Sequence, residues 1–204
     1  MNTSISKLIC QNLVSCDGVI TYHPHFFDVK IADMIFQQLD AQLDWHQETL
    51  KMMGKQIIAP RLVCWYGDNN AVYTYSGITH KPAPWIPVLS QIKQQIDQFS
   101  GFEFNSVLAN LYRNGQDSMG WHADKEKSLG VNPVIASVSF GAERLFKLRH
   151  NKNHQAVDIK LEHGSLLIMA GCLQHHWRHC LPKTRNQIAP RINLTFRLII
   201  PGYS

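Results

Sequence analysis

Near the end of the chain, polar and apolar residues alternate without a break. Arg191, Asn193, Thr195 and Arg197 occupy one set of positions, and Ile192, Leu194, Phe196 and Leu198 the other. In an extended backbone these sets point to opposite sides, so the stretch 191–200 predicts a strand with one polar and one apolar face. Shorter runs of the same kind predict strands over 104–112, 133–140, 144–149, 156–161 and 165–169. On the first of these, Asn110 and Tyr112 share a face. Many short strands joined by turns point to a sandwich or jelly roll, which holds ligands between its sheets.

Upstream the period changes. Ala32, Ile35, Phe36, Leu39 and Leu43 recur at helical spacing after Asp28, a side chain suited to capping a helix N-terminus. Val88, Leu89, Ile92, Ile96 and Phe99 predict the buried face of a second helix over 86–99. A short strand is expected at 18–22. A hairpin is expected from 45–50 and 56–58 around Lys51-Met-Met-Gly-Lys55, and further strands at 61–66 and 71–75 around the turn at 67–70. Residues 1–17 carry no pattern and are expected to form a loosely ordered tail. The fold class expected is mainly β with flanking α. Residues 18–204 form a single domain, divided into an N-terminal helix/hairpin extension (18–100) and a jelly-roll core (101–204).

Composition narrows the choice of partner and compartment. The 204 residues suffice for one domain with a core that needs no covalent staples. A net charge of +5 suits a polyanionic partner. The five cysteines are odd in number and lack metal-site spacing, so they read as free thiols of a reducing, cytoplasmic setting, or a nuclear one in a eukaryote. No apolar run has the length of a membrane span and no leader pattern is present, so a water-soluble monomer is expected.

The candidate chemistry lies in His122-Ala-Asp124 and in His175-His-Trp-Arg-His-Cys-Leu-Pro182. Two imidazoles and one carboxylate fill half the coordination sphere of a metal and leave the rest open, the facial set of non-haem Fe(II) oxygenases. His175, His176 and His179 all compete for the third place, and spacing does not choose among them. Two arginines on one strand face, Arg191 and Arg197, suit a dicarboxylate bound beside the metal, since a planar guanidinium grips a carboxylate with two parallel bonds. A zinc hydrolase could use the same three ligands, but nothing in zinc chemistry calls for the arginine pair.

Several motifs occur in one order: Tyr73-Thr-Tyr-Ser-Gly77, Pro84-Trp-Ile-Pro87, Asn110-x-Tyr112, His122-x-Asp124, Ile135-Ala-Ser-Val-Ser-Phe-Gly141, His163-Gly-Ser-Leu-Leu167, His179-x-Leu-Pro182 and Pro190-Arg-x-Asn-Leu-Thr-Phe-Arg197. In this the chain resembles the AlkB family of Fe(II)- and 2-oxoglutarate-dependent nucleic-acid dealkylases, and within it the branch with the human DNA-repair members. The resemblance implies a double-stranded β-helix, with Fe(II) on His122, Asp124 and His179. It further implies 2-oxoglutarate and O₂ as co-substrates, held among Asn110, Tyr112, Arg191, Asn193, Thr195 and Arg197. In that scheme Arg191 takes the far carboxylate of 2-oxoglutarate, and Arg197 lies near its metal-side carboxylate. The implied reaction is demethylation of 1-methyladenine and 3-methylcytosine in DNA, releasing formaldehyde, succinate and CO₂. The same chemistry on RNA or protein, or a non-catalytic nucleic-acid-binding protein on this scaffold, are the alternatives.

On the substrate side, the resemblance implies that Tyr73, Thr74 and Tyr75 face a flipped base, with Tyr75 stacking on it and Glu126 near its exocyclic amine. Lys125 departs from the acidic residue of the human repair members. Met52 and Met53, with Lys55 beside them, stand where double-strand-active relatives carry an apolar wedge.

Overall fold

The alternating segments pair into two facing antiparallel sheets in the computed structural model. It describes residues 12–52, 55–75 and 78–202, and of 50–52, 55, 73–75 and 78–80 the backbone alone. The strands are β1 (Val19–His23), β2 (His46–Met52), β3 (Lys55–Gly67), β4 (Tyr73–Tyr75), β5 (Ile78–His80), β6 (Ser106–Tyr112) and β7 (Met119–His122). They continue as β8 (Ile135–Gly141), β9 (Arg144–His150), β10 (Ala156–Leu161), β11 (Ser165–Ala170), β12 (Trp177–Leu181) and β13 (Arg191–Arg197). The helices are α1 (Val29–Gln42), α2 (Pro87–Ser100) and the short α3 (Leu173–His176).

The major sheet runs β1-β11-β8-β13-β6-β3-β2 and the minor sheet β10-β9-β12-β7, while β4 and β5 form a separate pair. This is the expected jelly roll. Apolar positions of the central strands divide between two cores. Ile192, Leu194 and Phe196 of β13 face the helices, packing with Leu39, Ile92 and Ile96. On the other side Tyr112, Leu167 and Met169 meet Leu148, Leu161 and Trp177 of the minor-sheet side. Asp28 caps α1, its carboxylate accepting the Lys30 N–H at 2.9 Å. Gly141 ends β8 with φ 87°, and a Cβ there would lie 2.4 Å from the Pro190 carbonyl oxygen, so only glycine lets the chain turn so close to the start of β13. Among the described residues no helix is long and apolar enough to cross a membrane.

Several local expectations need correction. Residues 12–17 are tied down rather than loose: the Asn12 carboxamide accepts from the Ile20 N–H at 2.8 Å and donates to the Gly18 carbonyl at 3.0 Å, and Val14 is buried. The segments 56–58 and 61–66 form one strand, β3, despite Pro60. The register between β2 and β3 slips between Gln47 and Thr49, and at that bulge a residue without an N–H is tolerated. The segment 18–100 is woven into the core, since β1 pairs with β11 and β3 with β6. Phe99 is 49% exposed, with its ring against those of His23 and Phe26, because Ser100 takes the buried position one turn after Ile96. Leu198 lies past the end of β13 and is exposed. Of the segment 71–75, only Tyr73–Tyr75 is strand.

Candidate active site

The polar face of β13 becomes one wall of a cavity that opens to solvent. Antiparallel register sets Arg191 opposite Tyr112 and Gly141, and Asn193 opposite Asn110 and Ser139. Thr195 stands opposite Leu108 and Ser137. The facing wall comes from the minor sheet, where His179 of β12 pairs directly with His122 of β7 and their ring centroids are 4.2 Å apart. Asp124, two residues beyond β7, completes the group. Its Oδ1 is 3.6 Å from His122 Nε2 and 4.0 Å from His179 Nε2.

Two of these donors, Asp124 and His122, are held from behind. Arg197 donates from Nε at 3.1 Å and Nη2 at 2.8 Å to Asp124 Oδ2, which turns Oδ1 toward the two imidazoles. The Asp124 backbone N–H donates at 2.9 Å to Oε1 of the buried Gln174, on α3. His122 Nδ1 lies 2.8 Å from the Gly120 carbonyl oxygen. A carbonyl can only accept, so the proton sits on Nδ1 and the Nε2 lone pair faces the cavity.

Burial opposes ionisation of Asp124, but Arg197, His179 and His122 outweigh it and hold the carboxyl well below the usual range. Burial pushes His179 down to about 3, with His122 adding to the effect and Asp124 opposing it, so its ring is neutral at physiological pH. Two imidazoles, that of His179 neutral, and an ionised carboxylate, with ligand atoms all within 4.8 Å, form a donor set that fits a divalent metal. The rival histidines are elsewhere. His175 Nε2 meets the Val131 carbonyl oxygen, and the His176 ring lies parallel to that of His150.

Arg191 is buried and short of a counter-ion. Its Nη2 donates to Ser139 Oγ at 2.9 Å and its guanidinium lies over the Tyr112 ring at 5.3 Å, but among the described residues its buried Nε has no hydrogen-bond partner. No acidic side chain forms an ion pair with it among those residues. Burial, opposed by Tyr112 and reinforced by Arg144, lowers it to about 10. A buried cation left in this state is costly unless a ligand anion completes it. The cavity therefore fits a ligand that carries a carboxylate to Arg191.

The remaining residues of this wall divide by what they touch. Asn110 Oδ1 accepts from Arg61 Nε at 2.8 Å. The Asn193 amide nitrogen donates to Ser137 Oγ at 2.8 Å and to the Val138 carbonyl at 3.0 Å, while its oxygen accepts from the Thr195 hydroxyl at 3.1 Å. Asn193 thus ties the strands together where it lines the cavity. Arg197, expected beside a ligand carboxylate, grips the protein's own Asp124.

Glu126 is partly buried just before the 3₁₀ turn Lys127–Leu129. Lys125 reaches the His175 carbonyl oxygen at 3.5 Å. Tyr73, Thr74 and Tyr75 form β4, paired with β5, but their side chains lie outside the described residues. So do Met53 and the side chains of Met52 and Lys55, at the paired ends of β2 and β3. Ser137, Ser139, Gln174 and Arg61 were not anticipated. For the two serines the signal was available, since they alternate with apolar residues along 135–141.

Comparison with known proteins agrees with this geometry. The profile of the 2OG-Fe(II) oxygenase superfamily matches residues 19–197. The cattle protein alpha-ketoglutarate-dependent dioxygenase alkB homolog 3 is 47% identical over 188 residues, which cover 87% of this chain and 65% of that protein. The chain thus spans just under two-thirds of that relative's length. Human DNA oxidative demethylase ALKBH2 is 39% identical, covering 92% of this chain and 76% of the human protein. A solved 2OG-Fe(II) oxygenase family oxidoreductase from Burkholderia pseudomallei is similar in fold, with a TM-score of 0.62 at 12% identity over 98% of this chain and 94% of that one.

Proposed function

The chain belongs to the AlkB family of the 2OG-Fe(II) oxygenase superfamily, and from that membership we propose that it removes alkyl groups oxidatively from ring nitrogens of DNA bases, chiefly 1-methyladenine and 3-methylcytosine. The observation that carries this reading is the seam between the sheets, where an open two-histidine, one-carboxylate set shares one cavity with a buried arginine that pairs with no anion among the described residues. When bound, Fe(II) and 2-oxoglutarate supply oxidation of the alkyl carbon by O₂, with succinate, CO₂ and formaldehyde as products.

The chain's own residues bind and orient. His122 offers its Nε2 lone pair and His179 its neutral imidazole, and Arg197 keeps Asp124 ionised and correctly turned. Arg191, with Ser139 behind it, receives the far carboxylate of 2-oxoglutarate, and Asn110, Tyr112 and Thr195 flank it within the same cavity. A complete triad and the intact arginines favour catalysis over a binding role on this scaffold. A base must leave its stack to reach such a cavity. Tyr73, Thr74, Tyr75 and Glu126 are assigned to that base, and Met52, Met53 and Lys55 to the place it vacates. A net charge of +5 favours a nucleic-acid partner.

The test is mass spectrometry of methylated single- and double-stranded oligonucleotides incubated with protein, Fe(II), ascorbate and 2-oxoglutarate. Loss of the methyl group with stoichiometric succinate is expected, and none from His122→Ala. Succinate without any change in DNA, but with demethylated RNA, would move the substrate to RNA. The paired substitution Met52→Ala with Met53→Ala should impair duplex repair much more than single-strand repair, and equal losses would remove the wedge.

A further inference from the structure

Where residues 12–18 cross the turn leading into β12, a second group of metal-competent side chains converges. Ligand atoms of Asp17, Cys172 and His176 lie within 4.8 Å of one another. The backbone is shaped for this approach. Asp17 adopts a left-handed φ of 57°, and a Cβ on Gly18 would come within 2.6–2.8 Å of three Leu173 atoms. Gly18 therefore presses directly onto the first residue of α3, and this delivers the Asp17 carboxylate to Cys172.

An overlapping trio, Cys16, Asp17 and His150, meets the same distance criterion but not the chemical one. His150 Nδ1 accepts the backbone N–H groups of Lys152 at 3.2 Å and Asn153 at 3.1 Å. Its proton therefore sits on Nε2, which donates to Asp17 Oδ2 at 3.0 Å. A cation on Nε2 would force that proton onto Nδ1, against two N–H donors. The Cys16 thiol already lies between the Gln155 and Asn153 side chains, at 3.6 and 3.5 Å. What remains is one carboxylate oxygen of Asp17, the Cys172 thiol and the His176 imidazole. None of these makes a hydrogen bond among the described residues.

We propose that Asp17, Cys172 and His176 form a second cation site, separate from the His122–Asp124–His179 set, that takes a borderline divalent ion of the Zn²⁺ class and leaves one position to water. One thiolate, one imidazole and one carboxylate are the mixed donors that such an ion accepts. The His150 Nε2–H bond to Asp17 is the kind of outer support that orients a ligating carboxylate. The ion would clasp residues 12–18 to α3. That turn also carries Gln174, which holds the Asp124 backbone.

The experiment uses Co²⁺ in place of zinc, titrated into the full chain under reducing conditions. The His122–Asp124–His179 set contains no sulfur, so a near-ultraviolet sulfur-to-cobalt absorption can arise only where a cysteine ligates. The expected result is such an absorption in the wild type and in His179→Ala, its loss in Cys172→Ser, and at least a tenfold weaker Co²⁺ affinity in His176→Ala. Its absence from the folded wild type, or its survival in Cys172→Ser, would overturn the site. Should Cys172→Ser fail to fold, alkylation of wild-type Cys172 by iodoacetamide, read by peptide mass, decides instead. Zn²⁺ should slow it at least tenfold, and an unchanged rate removes the site.

Discussion

Arg191 illustrates how one residue can be expensive alone and useful in company. A guanidinium buried against Tyr112 and Ser139, with its Nε unpaired among the described residues, is costly by itself and would be completed by a ligand carboxylate. Arg191→Lys keeps the charge but loses the planar fork, so the apparent KM for 2-oxoglutarate should rise about tenfold or more. Turnover at saturating co-substrate should largely recover, because the loss falls on binding. An unchanged KM in steady-state succinate assays would remove Arg191 from the co-substrate site. This residue was legible in the sequence, as were His122 and Asp124, because strand alternation and a short motif name them. The partner of Arg197 was not. An arginine on a ligand-facing strand reads equally well as a substrate contact, and only the folded chain shows it turned onto Asp124. Gln174 left no sequence signal, since its role depends on a turn that brings α3 beside a residue fifty positions earlier.

The long alternating strands were legible as elements, whereas the two short ones that carry the imidazoles were not. β7 is Met-Gly-Trp-His, and β12 mixes a buried tryptophan with charged and apolar neighbours, so neither shows a clean period. What fixes β7 is the connection before it. Asp117 accepts from the Arg113 backbone N–H at 2.9 Å, from Arg113 Nε at 2.8 Å and from Nη2 at 3.0 Å. The buried Arg144 donates to the Asp117 carbonyl at 2.9 Å and to that of Pro182 at 2.7 Å, joining this loop to the one after β12. Burial raises the Asp117 pKa, but Arg113 and Arg144 overcome it and the net shift is downward. A depressed folded value means that the contribution is complete above the ordinary carboxylate pKa of about 4 and is lost as pH falls through the folded value. Asp117→Asn should therefore cost about 1–2 kcal/mol at pH 7, a figure held down by the half-exposed Arg113. Urea midpoints of variant and wild type should converge as the pH falls below the ordinary carboxylate range, and a gap independent of pH would show that the carboxylate charge is not what holds the loop.

At the scale of the whole molecule, the cavity is a seam. His122 and His179 belong to the minor sheet, Arg191 and Arg197 to the major sheet, and Asp124 is tied to both through the imidazoles and Arg197. A metal on the triad and a dicarboxylate reaching Arg191 would therefore bridge the two layers, and each should stabilise the fold as well as support chemistry. Ligands that bind only the folded state add about 2.7 kcal/mol at a hundredfold excess over Kd. For a chain of 204 residues that corresponds to a rise in Tm of about 5–10 °C. The measurement is thermal unfolding with a redox-inert ion such as Mn²⁺, with 2-oxoglutarate, and with both, in the absence of O₂. Both together should exceed the sum of either alone, because a dicarboxylate that ligated the metal would at the same time neutralise Arg191 with its far end. Arg191→Leu should remove the 2-oxoglutarate increment and leave that of the metal, whereas His179→Ala should remove the metal increment and the excess over additivity. Strictly additive shifts in the wild type would mean that the two ligands do not meet, and the seam would then be two sites instead of one.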